Sequence, residues 1–393
     1  MRRLLLLSLL ACLSAGAFAA APPAKAPAAW LKLIDQLGDQ DDAVRESAEV
    51  KLRELGEDVL PALRRARRDH ADADVRLRAT VLAAAIEKSP SGPVRRFRTH
   101  EYGVVSFALS PDGKRLVTGT WKGRDNVARV WDVETGKEVL QLKGHTDRLY
   151  CVDWSKDGKS ILTGSIDQTL ILWDAKTGKR LKTLSGSEGS VYHVSLTPDG
   201  KRAISCDGEA VTRVWDLEKA KTIALRRDHN PKPPGARTVV AMPDGKHFVR
   251  AGFDGSVRIL EVETCKEVRT MDGKHEPGSV QIAVPSADGK RIASAGEDGV
   301  VRLWDAGTGK LVEKFTGHEG LVLAVCLSSD GKRLLSGGHD RTVRLWDVES
   351  GKEIQRIDFA HEQAASCVAF LPGGRRAITA GYDRDVKIWN LRK

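Results

Sequence analysis

His318, Ser336 and Asp340 are the residue types of a nucleophilic triad: an imidazole to take a proton, a hydroxyl to attack, a carboxylate to orient the ring. The same set recurs as His145, Thr163 and Asp167, as His275, Ser294 and Asp298, and as His361, Thr379 and Asp383. His100, Thr118 and Asp125 follow it with three extra residues before the acid. An enzyme needs one such site, whereas a repeated structural element needs one in every copy. Recurrence in fixed register therefore assigns these residues to architecture rather than to catalysis. Other chemistry is scarce. Gly158-Lys159-Ser160 lacks the upstream glycine of a phosphate-binding loop. There is no HExxH and no C-x-x-C, so neither a metal site nor a cofactor site is expected. Cys151, Cys206, Cys265, Cys326 and Cys367 are scattered without paired spacing and read as small buried hydrophobes, Cys265 in a turn.

The residues that repeat imply elements that repeat. Residues 316–347 open with Gly-His and close with Trp-Asp. Between these marks lie three runs of β-branched and apolar residues, and Asp330-Gly331 joins the first two as a hairpin turn. Trp131, Trp173, Trp215, Trp304, Trp346 and Trp389 each end a similar run, and Leu260 fills the one gap, in steps of 42, 42, 45, 44, 42 and 43 residues. That period, with those marks, belongs to four-stranded propeller blades. The chain thus resembles the WD-repeat family over residues 94–393, with seven repeats. The fold class this implies is an all-β seven-bladed β-propeller. The last repeat lacks a fourth strand, and residues 94–99 precede the first repeat with no sheet of their own. Residues 94–99 are therefore expected to become the outer strand of the last blade and to close the ring.

The resemblance also implies a role for the recurring side chains. In the WD-repeat family a histidine bonds an aspartate in the turn between the second and third strands. It also bonds a serine or threonine on strand two, which reaches the tryptophan on strand three. The matching sets here are His145, Thr163, Asp167 and Trp173; His275, Ser294, Asp298 and Trp304; His318, Ser336, Asp340 and Trp346; and His361, Thr379, Asp383 and Trp389. The third repeat departs, with Ser187 for His and Glu209 for Asp; the fourth has Arg250 for the hydroxyl and Leu260 for Trp. In this family the face holding that network commonly binds peptides and proteins. The residues expected to contact a partner are Trp121, Arg124, Arg148, Phe253, His339 and Tyr382, with Pro233 and Arg237 of the proline-containing loop. The expected function is a non-catalytic scaffold for a protein or peptide. The rival is an enzyme, or a carbohydrate-binding or adhesion protein, using the central channel. The enzyme reading needs polar groups unique to one or two blades converging on the axis, and the sequence shows none.

The first 93 residues are of another kind. Residues 1–19 have the form of a signal peptide: Arg2 and Arg3, an apolar run from Leu4 to Leu13, and Ala17-Phe18-Ala19 as a small-x-small cleavage site. The run is too short to span a bilayer in the mature chain. An exported protein, periplasmic or secreted, is expected, as in exported bacterial WD-repeat proteins; the alternative is a lipid anchor on Cys12. Residues 20–29 read as an Ala/Pro-rich tether, 30–88 as a HEAT-like helical module with Val75, Val81, Leu82, Ala85 and Ile86 on one helix, and 89–93 as a linker. The net charge is +10. Most of it falls in the repeats, where lysines such as Lys114, Lys159, Lys201 and Lys332 recur in the turns opposite the network. Weak contact of that face with an anionic envelope surface is expected, and nucleic acid is not an expected partner.

Overall fold

A computed structural model describes residues 26–55, 59–88, 93–120, 126–228, 235–276 and 278–392. The signal peptide, Cys12, most of the tether and residues 89–92 of the linker lie outside these residues, as do Trp121, Arg124, Asp125, His229 and Pro233. The chain divides into two compact units, one helical and one built of strands.

The helical unit comprises α1 (Ala28–Asp35), a 3-10 turn (Gln36–Gly38), α2 (Asp42–Glu54), α3 (Leu60–Asp69) and α4 (Ala73–Lys88). The first helix starts at Ala28, two residues inside the stretch read as tether. Asp41 and Asp72 begin their helices by accepting the N–H groups of Ala43 and Asp74 at 2.8 and 2.7 Å. Pro61 sits in the first turn of α3, where its missing N–H leaves nothing unpaired. Ile34, Leu37, Leu52, Leu63, Val75, Leu82 and Ile86 are buried. Val81 was expected among them but is 57% exposed. Val75, Ala79, Leu82 and Ile86 share one stripe at 3.6 residues per turn, and Val81 falls outside it.

The second unit is seven four-stranded antiparallel sheets, the blades of a propeller. Blades 1 to 6 span residues 106–142, 149–185, 191–227, 236–270, 280–315 and 322–357. Blade 7 takes three strands from residues 365–390 and its outermost from Arg95–Arg98. That strand lies against Asp385–Asn390 with Phe97 opposite Val386. The closing strand so runs in the expected place.

The core lies between the blades. Seven apolar clusters each join two neighbours: Val117, Val130 and Trp154 with Ile161 and Trp173 between blades 1 and 2, and Leu116, Trp131, Ile378 and Ile388 between blades 1 and 7. A blade alone would leave both faces of its sheet wet, so each depends on two neighbours. Polar side chains add further ties between innermost strands. Ser106 Oγ accepts the Val152 N–H at 3.1 Å, Asp153 accepts Leu196 N–H at 2.7 Å, Ser195 Oγ accepts Ala241 N–H at 3.1 Å, and Ser366 donates to Val104 O at 2.6 Å.

Candidate functional site

The repeated polar network is assembled as follows. Trp173 Nε1–H donates to Thr163 Oγ1 at 2.9 Å, the Thr163 hydroxyl lies 2.8 Å from His145 Nε2, and His145 Nδ1 lies 2.8 Å from Asp167. Trp304–Ser294–His275–Asp298 repeats this at 2.8, 2.8 and 2.9 Å, Trp346–Ser336–His318–Asp340 at 2.8, 2.7 and 2.9 Å, and Trp389–Thr379–His361–Asp383 at 2.9, 2.8 and 2.9 Å. In blade 1, Trp131, Thr118 and His100 form the same chain. The hydroxyls are fully buried, at 0% exposure, and already bonded, so none faces a substrate. Burial tends to raise the Asp383 and Asp167 pKa values. Hydrogen bonds from the histidines and from main-chain N–H groups overcome it and hold both well below the usual carboxylate range. Burial lowers the His275 and His361 values, against the opposing pull of Asp298 and Asp383.

Blade 3 differs from the expected substitution of Glu209 for the aspartate. Its carboxylate is Asp207, two residues earlier, fully buried and paired with Arg213 at 2.5 Å. Arg213 also binds Glu188 at 2.7 Å, and Glu188 binds Arg227 at 2.7 Å. An arginine reaching from strand three supplies the N–H that the missing histidine would have given. Ser187, at the histidine's position, is buried with no hydrogen-bond partner among the described residues. In blade 4 the side chain of Arg250, 1% exposed, takes the hydroxyl's position and reaches outward: its guanidinium bonds Thr212 of blade 3 at 3.2 Å and pairs with Asp228. Burial lowers the Arg250 pKa to about 10, and the side chain stays cationic.

One recurring position escaped the sequence reading. Two residues before each Trp, or before Leu260, stands Arg129, Arg213, Arg258, Arg302, Arg344 or Lys387; only blade 2 has an apolar residue, Ile171. Of these, Arg213, Arg258, Arg302, Arg344 and Lys387 pair with an acid of their own turn. The signal was in the sequence, at a fixed offset from an already recognised mark.

The central channel tells a different story from the one expected. Polar groups do converge on the axis. The innermost strands of blades 2 to 7 each carry a β-bulge at the same point near their start. The extra residues are Tyr150, Tyr192, Arg237, Gln281, Leu323 and Ser366, and all six line a cavity of about 620 Å³. A bulge places two residues opposite one and re-aims the side chain. Strict alternation along a strand cannot foresee that, and so the tyrosines were missed. Tyr150 and Tyr192 meet edge to face at 5.3 Å. Arg237 lies over the Phe253 ring at 5.6 Å, and His339 meets Tyr382 edge to face at 6.4 Å. Of the residues expected to bind a partner, Arg237 and Tyr382 thus line this cavity, and Phe253 and His339 each touch one of them. Arg148 does not join them: its guanidinium is 3.2 Å from Asp147. Deeper in the channel, burial pushes Asp153 up to about 6 and His193 down to about 4. Both are engaged with main chain, Asp153 by the Leu196 N–H and His193 through Nδ1 to Val239 O at 2.9 Å. Among the described residues no three His, Cys, Asp or Glu side chains gather as metal ligands do, and no helix is long and apolar enough to cross a membrane.

A family profile described as "WD domain, G-beta repeat" matches residues 91–132, 136–174, 178–216, 265–305, 309–347 and 351–390. It passes over the fourth repeat, where Arg250 and Leu260 stand. The intraflagellar transport protein 122 homolog of Xenopus tropicalis is 36% identical over 72 residues, 18% of this chain and 6% of that protein. The ribosome biogenesis protein WDR12 homolog of Drosophila persimilis is 37% identical over 87 residues, 18% of this chain and 20% of its own. The human angio-associated migratory cell protein is 37% identical over 83 residues, 20% of this chain and 18% of its own. Each likeness covers about two repeats. It reaches the repeat unit and carries no partner or activity with it.

Proposed function

Because this chain belongs to the WD-repeat family, with matched repeats over more than half its length, we propose that it is a non-catalytic scaffold. It binds a protein or peptide on the propeller face that bears the His/Asp turns. The observation that carries this reading is the contrast between two sets of positions. The complete blade networks repeat one chemistry, whereas the bulge positions at the channel mouth, Ser366 apart, carry Tyr, Tyr, Arg, Gln and Leu. Positions that hold blades together converge on one solution, and positions that read a partner have no reason to match. Aromatic rings beside arginine are also what binding hot spots favour. The rival of an enzyme in the channel finds its best acid and base, Asp153 and His193, already tied to main chain. The test is affinity capture from a cell-envelope extract with the wild type and with Phe253, His339 and Tyr382 changed together to alanine. Loss of the captured partner at unchanged thermal stability supports the assigned face, and full retention removes it. Turnover of a small molecule by the purified chain would remove the scaffold reading itself.

The proposal extends to location. Arg2, Arg3, the apolar run after them and Ala17-Phe18-Ala19 support export to the periplasm or beyond. The mass of the mature N-terminus separates cleavage before Ala20 from lipidation at Cys12. The lysines of the opposite face support weak contact with an anionic envelope surface, though carboxylates such as Asp112, Asp157 and Asp330 share their turns, where they accept the main-chain N–H groups of Lys114, Lys159 and Lys332.

A further inference from the structure

The channel mouth has one feature that narrows the ligand. Arg237 is the cation among the bulge residues, and it is half-buried. Arg237 makes no ion pair among the described residues and lies over the face of Phe253. The fully buried arginines Arg213, Arg250, Arg302 and Arg344 each have an acid, whereas Arg237 sits at the channel opening without one. The arginine is close enough to Tyr192 and Tyr382 to pull on their acidity, opposing the burial that raises both phenols. No hydrogen bond within the protein engages the hydroxyl of Tyr192 or Tyr382 among the described residues. Asp153 is the carboxylate among the channel-lining residues, and it lies three residues further along its strand than Tyr150, roughly 10 Å at the usual rise. It is held there by the Leu196 and Trp154 N–H groups.

We propose that the channel mouth is a carboxylate-binding subsite, in which Arg237, flanked by the phenols of Tyr192 and Tyr382, receives an aspartate or glutamate side chain of a bound peptide. The inference rests on the reading of this face as peptide-binding. A guanidinium presents a planar fork of N–H donors that fits a carboxylate with two parallel bonds. Phenol hydroxyls around it can donate to the remaining lone pairs. An aromatic cage of similar rings without the arginine would suit a cation; Arg237 turns that preference around. The cavity of about 620 Å³ accommodates an acidic side chain with neighbouring backbone, and Leu323 gives it one apolar wall. Tyr150 and Gln281 complete the rim.

The test uses the full chain and an array of capped nine-residue peptides of varied sequence. Each peptide occurs in versions with Asp, Glu, Asn, Gln or phosphoserine at the centre. A further set carries its only carboxylate at a free C-terminus. Asp and Glu peptides are expected to bind, and their Asn and Gln counterparts to bind at least tenfold more weakly. Arg237→Gln is expected to abolish that discrimination, Arg237→Lys to keep part of it, and far-ultraviolet circular dichroism to stay unchanged in both. Equal binding of neutral and acidic peptides overturns the proposal, as does undiminished discrimination by Arg237→Gln. Preference for phosphoserine or for the free C-terminus over the side-chain acids overturns the assignment to aspartate and glutamate. If no peptide binds while the envelope partner is still lost on changing Phe253, His339 and Tyr382, the binding face stands and the carboxylate subsite falls.

Discussion

One hydroxyl in blade 7 satisfies two buried groups: Thr379 Oγ1 accepts from Trp389 and lies 2.8 Å from His361 Nε2. Replacing it with valine keeps the shape and strands both partners. The expected loss of stability is about 1–3 kcal/mol, the usual cost of unpaired buried polar groups. Ser205→Ala in blade 3 strands only the Trp215 N–H, because Ser187 has replaced the histidine there. Its cost should be smaller, and urea unfolding of the two variants checks the order. The same network sets an acid response. The folded pKa of Asp383 lies below the unfolded value of about 4. Its contribution is therefore complete above that pH and is lost as pH falls further. Burial likewise lowers the His361 value, so its part is present above about 6.5 and begins to fade below. Thermal midpoints taken from pH 8 down to pH 3 should fall first through the His361 window, below about 6.5, and then through the Asp383 window, below about 4. In Asp383→Asn the midpoint at pH 7 should drop and the decline below pH 4 should flatten. An unaltered acid arm in that variant would contradict the assignment.

At the scale of elements, blades 3 and 4 show how a repeat survives the loss of its marks. Arg250 ties its own strand to Thr212 of the neighbouring blade and to Asp228. Arg250→Met removes the cation, leaves the Thr212 hydroxyl without its donor and leaves Asp228, 22% exposed, to Arg226 at 3.4 Å. Loss of about 1–3 kcal/mol is expected, the usual cost of removing one partner of a buried polar pair. Adding Asp228→Asn should restore part of it. A double-mutant cycle in urea reads the coupling, and additive costs would mean the pair does not act as one. These elements also show what was legible beforehand. The strand positions, the ring closure and the four complete networks follow from a repeated pattern, since each copy corroborates the others. Asp207 and Arg213 were not read, because two substitutions compensate each other and neither resembles the part it replaces. Tyr150 and Tyr192 were not read as channel residues for a different reason: a one-residue bulge breaks the period of two on which facing is judged. Only four tyrosines occur in the chain. That three of them reach one cavity was a clue in composition that needed the fold to interpret.

For the whole molecule, the ring depends on one short strand. Every inter-blade core needs two blades, so a gap between blades 7 and 1 would expose a face on each. Arg95–Arg98 closes it from the outside through backbone pairing with Asp385–Asn390, extended by Val94 N–H to Ile388 O at 2.6 Å and Thr99 N–H to Arg384 O at 3.0 Å. Its Phe97 packs on Trp131 of blade 1 with ring centroids 5.9 Å apart, so one residue touches both sides of the seam. Arg96 pairs with the buried Asp385 at 2.7 Å. Two shortened chains, one beginning at Val94 and one at Thr99, differ only in this strand. Burial of Phe97 is worth about 1.5–3 kcal/mol, and each lost backbone bond about 1 more. The chain beginning at Thr99 should therefore unfold at clearly lower urea than the chain beginning at Val94. It also has a free edge on the Asp385–Asn390 strand that another strand can occupy. A synthetic peptide of residues 94–99 should bind it and raise its thermal midpoint in a concentration-dependent way. A peptide with Phe97 replaced by aspartate should not. If the two shortened chains unfold together, the ring is closed by its inter-blade cores alone, and the strand is an ornament on blade 7.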